Sequence, residues 1–191
     1  MSLRVTDQSM RAPFDLGPMP ASGRMVTIDH RLVSAPVGAI FDLARDVERW
    51  PSLLPHYRAV RFIERNADGG GMVEMSAWRP FGPFAWPTWW VSEMQVSVGG
   101  ANTGSTGVLP WIRYRHVRGI TSRMEVLWAF KPMEGAGVHV SIVHVWNGPD
   151  WPLIGDLAAR AVIGPVFVHG IASRTLAGLA RAAERAGEHA A

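Results

Sequence analysis

The chain has 191 residues, enough for one sizeable core, and its 48% hydrophobic content excludes intrinsic disorder. It has no cysteine, which excludes disulfides, Cys-ligated zinc and thiol chemistry. Its 19 basic and 16 acidic residues leave a formal charge of +3, and the basic residues, arginine except for Lys131, are scattered rather than gathered into a nucleic-acid-binding stripe.

Residues 1–24 carry Pro13, Gly17, Pro18, Pro20 and Gly23 without periodicity and read as a loose N-terminal arm. From Met25 to Val33, Val26, Ile28, His30 and Leu32 alternate with Thr27, Asp29 and Arg31, the period of a strand. Ser34-Ala35-Pro36 opens a helix, with Ser34 as its expected cap and Val37, Ile40, Phe41 and Ala44 as its apolar face. A second short helical piece lies between Asp46 and Pro55. The period then falls to two. Strands are predicted near 57–65, 72–79, 88–98, 111–118, 123–131 and 138–147, separated by glycine-rich turns such as Asn66-Ala67-Asp68-Gly69. Pro80, Pro83 and Pro87 make 80–88 a loop. From Leu153 the pattern is helical, broken at Gly164-Pro165. The last helix runs to about Ala186 on an apolar stripe of Val168, Ala172, Leu176, Leu179 and Ala183.

Short connections make the strands antiparallel. An antiparallel sheet with one apolar face must be covered, and the last helix is the element large enough to do it. The predicted fold is α+β: a curled antiparallel sheet around a long C-terminal helix, with two short helices after the first strand, in one domain over 25–187. A curled sheet gripping a helix leaves a hollow between them. The longest apolar run, 161–168, is too short and too broken for a membrane span. No apolar segment follows Arg4 and Arg11, so no signal peptide is expected and a cytoplasmic location fits.

The segment Ile28–Val60, IDHRLVSAPVGAIFDLARDVERWPSLLPHYRAV, resembles the opening of the polyketide cyclase/dehydrase family of the START-like helix-grip superfamily. The shared features are the strand, Ala35-Pro36, the helix with Phe41-Asp42, then Asp46-Val47-Glu48, Trp50-Pro51 and Leu54-Pro55. The element order extends the resemblance over about 25–187. It implies a helix-grip fold with a cavity for a hydrophobic small molecule, and needs neither cofactor nor metal. In the aromatase/cyclase subgroup a cavity arginine and a tyrosine are proposed to act on substrate carbonyls, and Arg79 and Tyr57 match those positions. Trp90 and Trp128 match cavity aromatics. A non-catalytic carrier of a quinone, lipid or polyketide is the alternative.

Strand parity tests these assignments independently. Arg79 shares a face with Val73, Met75 and Ala77, at the end of an apolar row, where it either reaches past the strand end to water or points a fork of donors at the pocket. Tyr57 is either a strand-end tyrosine with a wet hydroxyl or a donor to a carbonyl. His144 shares its inward parity with Val140, Ile142 and Trp146, whereas His139 faces the other way. His56 reads as an exposed loop residue. The expected site is therefore Arg79 and Tyr57 as catalytic residues, with Trp90, Trp128, His144, Met75 and Trp146 contacting ligand. The histidines give no metal-binding spacing. A weaker alternative makes the Trp-rich stretch 80–90 a protein-binding surface.

Overall fold

The protein is described by a computed structural model covering residues 11–81, 84–99, 108–135, 137–148 and 168–188. For Arg79–Phe81 and Phe84 only the backbone is described. The elements are β1 (Met25–Val33), α1 (Val37–Arg45), a 3-10 turn (Val47–Arg49), α2 (Trp50–Leu53), β2 (Tyr57–Arg65), β3 (Gly71–Phe81), β4 (Phe84–Ser97), β5 (Trp111–Gly119), β6 (Glu125–Pro132), β7 (Val138–Trp146) and α3 (His169–Glu188). Seven antiparallel strands form one sheet in the order β1-β7-β6-β5-β4-β3-β2.

Alternation decides which face each side chain joins. Val73, Met75 and Ala77 of β3, Trp90, Met94 and Val96 of β4, and Ile112 and Tyr114 of β5 are buried on the concave face. Val126, Trp128 and Phe130 of β6 and Val140, Ile142 and Trp146 of β7 continue it. Val168, just ahead of α3, and the α3 stripe Ala172, Leu176, Leu179 and Ala183 are buried against them. Gly178 lets this helix approach closely: a Cβ there would stand 2.2 Å from Leu54 Cδ2.

Three expectations need correction. Ser34 does not cap α1. The helix begins at Val37 with Pro36 as its cap residue and no side-chain cap bond, and the Ser34 N–H instead donates to Glu184 Oε1 at 3.2 Å.

The stretch 80–88 is not wholly loop. β3 runs through Pro80 to Phe81 and β4 starts at Phe84, with Pro80 paired to Ala85 and Trp78 to Pro87. β2 accompanies β3 only as far as Ala77, and β5 accompanies β4 only from Trp90. Among the described residues no third strand pairs with the tip, which is a two-stranded ribbon whose outer edges can carry proline. Positions 82–83 lie outside the described residues.

The arm is not loose over 11–24. It crosses the convex face, burying Leu16 and tied at both ends: the Ala67 N–H donates to the Arg11 carbonyl at 2.9 Å, and the Arg24 N–H to Asn147 Oδ1 at 3.2 Å. In its middle, Arg115 donates to the Leu16 carbonyl at 2.8 Å and Arg113 donates to that of Gly17. Beneath it Glu125 accepts from Arg113 Nη2 at 2.8 Å and from Arg115 Nε at 2.5 Å. The break foreseen at Gly164-Pro165 lies outside the described residues.

Candidate active site

A cavity of about 70 Å³ lies between the concave face and the first two turns of α3. Aromatic rings form its walls. Trp50 packs on Tyr57 (centroids 5.1 Å apart) and on Trp128 (5.8 Å), and Trp90 packs on Tyr57 (6.3 Å) and on the His116 ring (6.1 Å). Trp50 is fixed by its indole N–H donating to the Leu43 carbonyl at 3.0 Å. Met75, Met124, Val126 and Ile142 from the sheet and Val168, Ile171 and Ala172 near the start of α3 complete the apolar lining.

Six polar side chains open onto the same space: Tyr57, Tyr114, His116, Thr121, His144 and Thr175. Tyr114 is buried, and its hydroxyl has no hydrogen-bond partner among the described residues. Burial, and secondarily the neighbouring Tyr57, raise its pKa well above the ordinary phenol value. It therefore stays a neutral O–H donor at any working pH. His116 Nδ1 lies 2.7 Å from Thr121 Oγ1 across the β5–β6 turn. Two left-handed residues shape that turn, Gly119 at φ 97° and Arg123 at φ 69°. A Cβ at Gly119 would stand 2.5 Å from the Trp89 carbonyl oxygen, so only glycine fits.

Thr175 lies at the centre of a second polar group. Its Oγ1 donates to the Ile171 carbonyl at 2.8 Å and lies 3.3 Å from the Tyr57 hydroxyl and 3.0 Å from His56 Nε2. His56 is thus half-buried, not simply exposed loop. Desolvation, helped by the Arg174 charge, lowers its pKa to about 4, so the ring is neutral at pH 7. His144 Nδ1 lies 3.3 Å from Thr27 Oγ1 on the edge strand.

The structure brings Tyr57, Met75, Trp90, Trp128 and His144 together around the cavity. Trp146 is buried on the same face but stands apart from it, its indole N–H donating to the Ser122 carbonyl at 2.9 Å. Arg79 sits on β3 paired with Trp86, two positions beyond the last residue held by β2, and its side chain lies outside the described residues. Sequence reasoning missed Tyr114, His116, Thr121 and Thr175. Parity with Ile112 on β5 would have turned Tyr114 and His116 inward. Among the described residues, no group of three or more His, Asp or Glu side chains could hold a metal ion.

The fold recurs in solved structures of low sequence identity. The aromatase/cyclase Zhui from Streptomyces sp. R1128 is 16% identical, with a TM-score of 0.68 over 84% of this chain and 94% of that one. The protein TTHA0849 from Thermus thermophilus is 20% identical, with a TM-score of 0.66 over 85% and 99%. A START superfamily protein from Mycobacterium smegmatis is 15% identical, with a TM-score of 0.55 over 87% and 99%. No curated protein matches the chain in sequence. The sequence model of one family, described as polyketide cyclase / dehydrase and lipid transport, matches residues 33–164. With more than half its length matched, and with the helix-grip architecture around an aromatic cavity, the chain belongs to the polyketide cyclase/dehydrase and lipid transport family.

Proposed function

We propose that the cavity binds a hydrophobic, aromatic small molecule bearing at least one hydrogen-bonding oxygen, and that the chain promotes cyclisation and dehydration of a polyketide-like substrate there. One observation carries this reading: the buried Tyr114 hydroxyl faces an aromatic cavity without a partner among the described residues. A buried, unsatisfied hydroxyl costs about 1–3 kcal/mol, a cost that a ligand oxygen accepting its proton would remove. The tyrosine hydroxyls can polarise a substrate carbonyl, and Arg79 would add a fork of donors to stabilise enolate charge. An imidazole, His116 or His144, can take the proton from the carbon between two carbonyls. Attack of that carbon on a further carbonyl forms the ring and an alkoxide, which takes back the proton to become a hydroxyl. Removal of the second proton from the attacking carbon, with a proton delivered to the leaving hydroxyl, forms the C=C bond and releases water. This chemistry uses positioning and polarisation and calls for neither cofactor nor metal.

At about 70 Å³ the cavity is smaller than a multi-ring substrate, so such a substrate is expected to displace part of its lining. Val168 and the first two turns of α3, with Ile171, Ala172 and Thr175, form one wall of the lining, and Trp50 of α2 and Thr121 and Met124 of the β5–β6 turn also lie outside the strands.

The second reading is a non-catalytic carrier of a quinone, lipid or polyketide. It is favoured by a lining that, among the described residues, contains no Asp, Glu, Lys or Arg and ten apolar side chains. Native mass spectrometry of the protein purified from its own host separates the two. An aromatic polyketide or its precursor supports the cyclase, a quinone or lipid supports the carrier, and a bare chain counts against both. In a cyclase, Arg79→Lys lowers the rate by about 10²–10³, because a point ammonium cannot replace a bidentate fork. In a carrier that variant binds like the wild type, whereas Trp128→Ala weakens binding in either case.

A further inference from the structure

The ribbon formed by the ends of β3 and β4 differs from the rest of the sheet. Elsewhere the concave face is buried and mostly apolar, and the convex face carries ion pairs such as Arg61–Glu74 and Arg113–Glu125. On the ribbon both faces are aromatic. Trp78 and Trp89 point to the convex side and are 40% and 45% exposed, and Trp86, on the opposite parity, is 65% exposed. From Met75 to Ser92 the sequence has no carboxylate, and Arg79 is its one charged residue. The acid nearest the base of the ribbon, Glu74, is engaged by the Trp89 indole at 2.7 Å and by Arg61. Arg58 lies over the Trp78 ring, 4.6 Å from its centroid.

We propose that this ribbon is a membrane-contact element that inserts its tryptophans into the interfacial layer of a lipid bilayer, with Arg58 at the headgroup level. Three features favour lipid over a protein partner. A protein surface covers one face of a ribbon, whereas insertion covers both, and both are aromatic here. The edges of the tip pair with no strand among the described residues, and Pro80 and Pro87 bring no N–H donor, which disfavours pairing with a strand of another chain and lowers the polar load carried into the interface. Tryptophan with an adjacent arginine suits the boundary between headgroups and acyl chains. The inference rests on the ribbon's exposed tryptophans and not on the reading of the cavity, although Arg79 lies on the same ribbon, paired with Trp86.

The test is flotation with vesicles of phosphatidylcholine alone and of phosphatidylcholine with phosphatidylglycerol, together with tryptophan quenching by brominated acyl chains. The wild type is expected to float with vesicles, more strongly with the anionic ones, and its emission to be quenched by bromine. Trp86→Ser is expected to weaken binding by about tenfold, the worth of covering one aromatic face, and the combined Trp78→Ser, Trp86→Ser and Trp89→Ser variant to abolish it. Thermal melts check that the variants fold, and the single exposed substitution Trp86→Ser keeps the test decisive if the triple variant does not. Failure to bind either vesicle, binding unchanged in Trp86→Ser, or emission that shifts with protein concentration in the absence of lipid would each overturn the proposal, the last by identifying a protein contact.

Discussion

The two faces of one sheet differ in what surrounds their buried polar groups. On the convex face, Arg113 and Glu125 are almost inaccessible and Arg115 joins them, and the carbonyls of Leu16 and Gly17 on the N-terminal arm accept further protons from the two arginines. The carboxylate is satisfied on both oxygens, which is how a structural ion cluster is built. On the concave face, the Tyr114 and Ser92 hydroxyls are buried without partners among the described residues, and Tyr114 opens onto a cavity. Arg113 Nε, Asn66 and Asp29 Oδ2 are also buried without partners among the described residues, so an unpartnered atom alone does not mark a site. Tyr114 differs in that its hydroxyl opens onto a cavity, where a ligand oxygen could reach it.

The comparison can be broken at its structural end first. Glu125→Ala leaves Arg113 buried with its counter-charge gone, and is expected to cost about 3–5 kcal/mol in urea melts. A loss below about 1 kcal/mol would mean the cluster is not structural. Next is Gly178→Ala, which drives a methyl into Leu54 where α3 meets the segment ahead of β2, and is expected to cost about 1–3 kcal/mol. If it melts like the wild type, the helix is not packed as tightly as the geometry requires. Tyr114→Phe stands at the other extreme. Removing an unpartnered hydroxyl is expected to leave stability unchanged or slightly raised, because no protein hydrogen bond is lost. A clear destabilisation would show that the hydroxyl serves the fold.

A separate effect is a pH dependence. His56 has its pKa lowered in the folded chain, to about 4 from an ordinary 6.5, so the unfolded chain binds its proton more readily. Its contribution to stability is complete above pH 6.5 and is lost as pH falls towards 4. His56→Gln is expected to flatten the stability profile across that window and to leave it unchanged above about pH 7. An identical acid slope in both proteins would remove His56 from the explanation.

Most of the architecture was legible because period and punctuation are local. Alternation at β1 and at 111–118, the apolar stripe of α3 and the glycine turns each needed only a few neighbouring residues. Two features depended on distant chain. Pro80 and Pro87 argue against strand only if neighbouring strands need their N–H groups, and where β2 and β5 stop cannot be read from residues 80–88. The arm over 11–24 is held by Arg113 and Arg115, nearly a hundred residues away, and by nothing periodic in itself. The cavity was legible in part. Parity placed Met75, Trp90, Trp128 and His144 on the concave face, and the family resemblance supplied Tyr57. Parity cannot say how far along a strand the cavity extends, so Trp146, inward like His144 but two residues on, packs against the β5–β6 turn instead. Thr121 and Thr175 reach the cavity through a turn and across a helix, where no strand period applies.

The central claim, that the unpartnered Tyr114 hydroxyl is reserved for a ligand oxygen, is tested most directly by a matched pair of single-ring probes. Acetophenone and α-methylstyrene have nearly the same shape, and only the ketone accepts a hydrogen bond. Titrating each into the wild type and into Tyr114→Phe, followed by tryptophan fluorescence, should show the wild type favouring the ketone by about tenfold, the worth of one buried hydrogen bond, after allowance for their different solubility in water. Tyr114→Phe should bind both equally. A wild type that binds neither probe, or a preference for the ketone that survives in Tyr114→Phe, would contradict the claim.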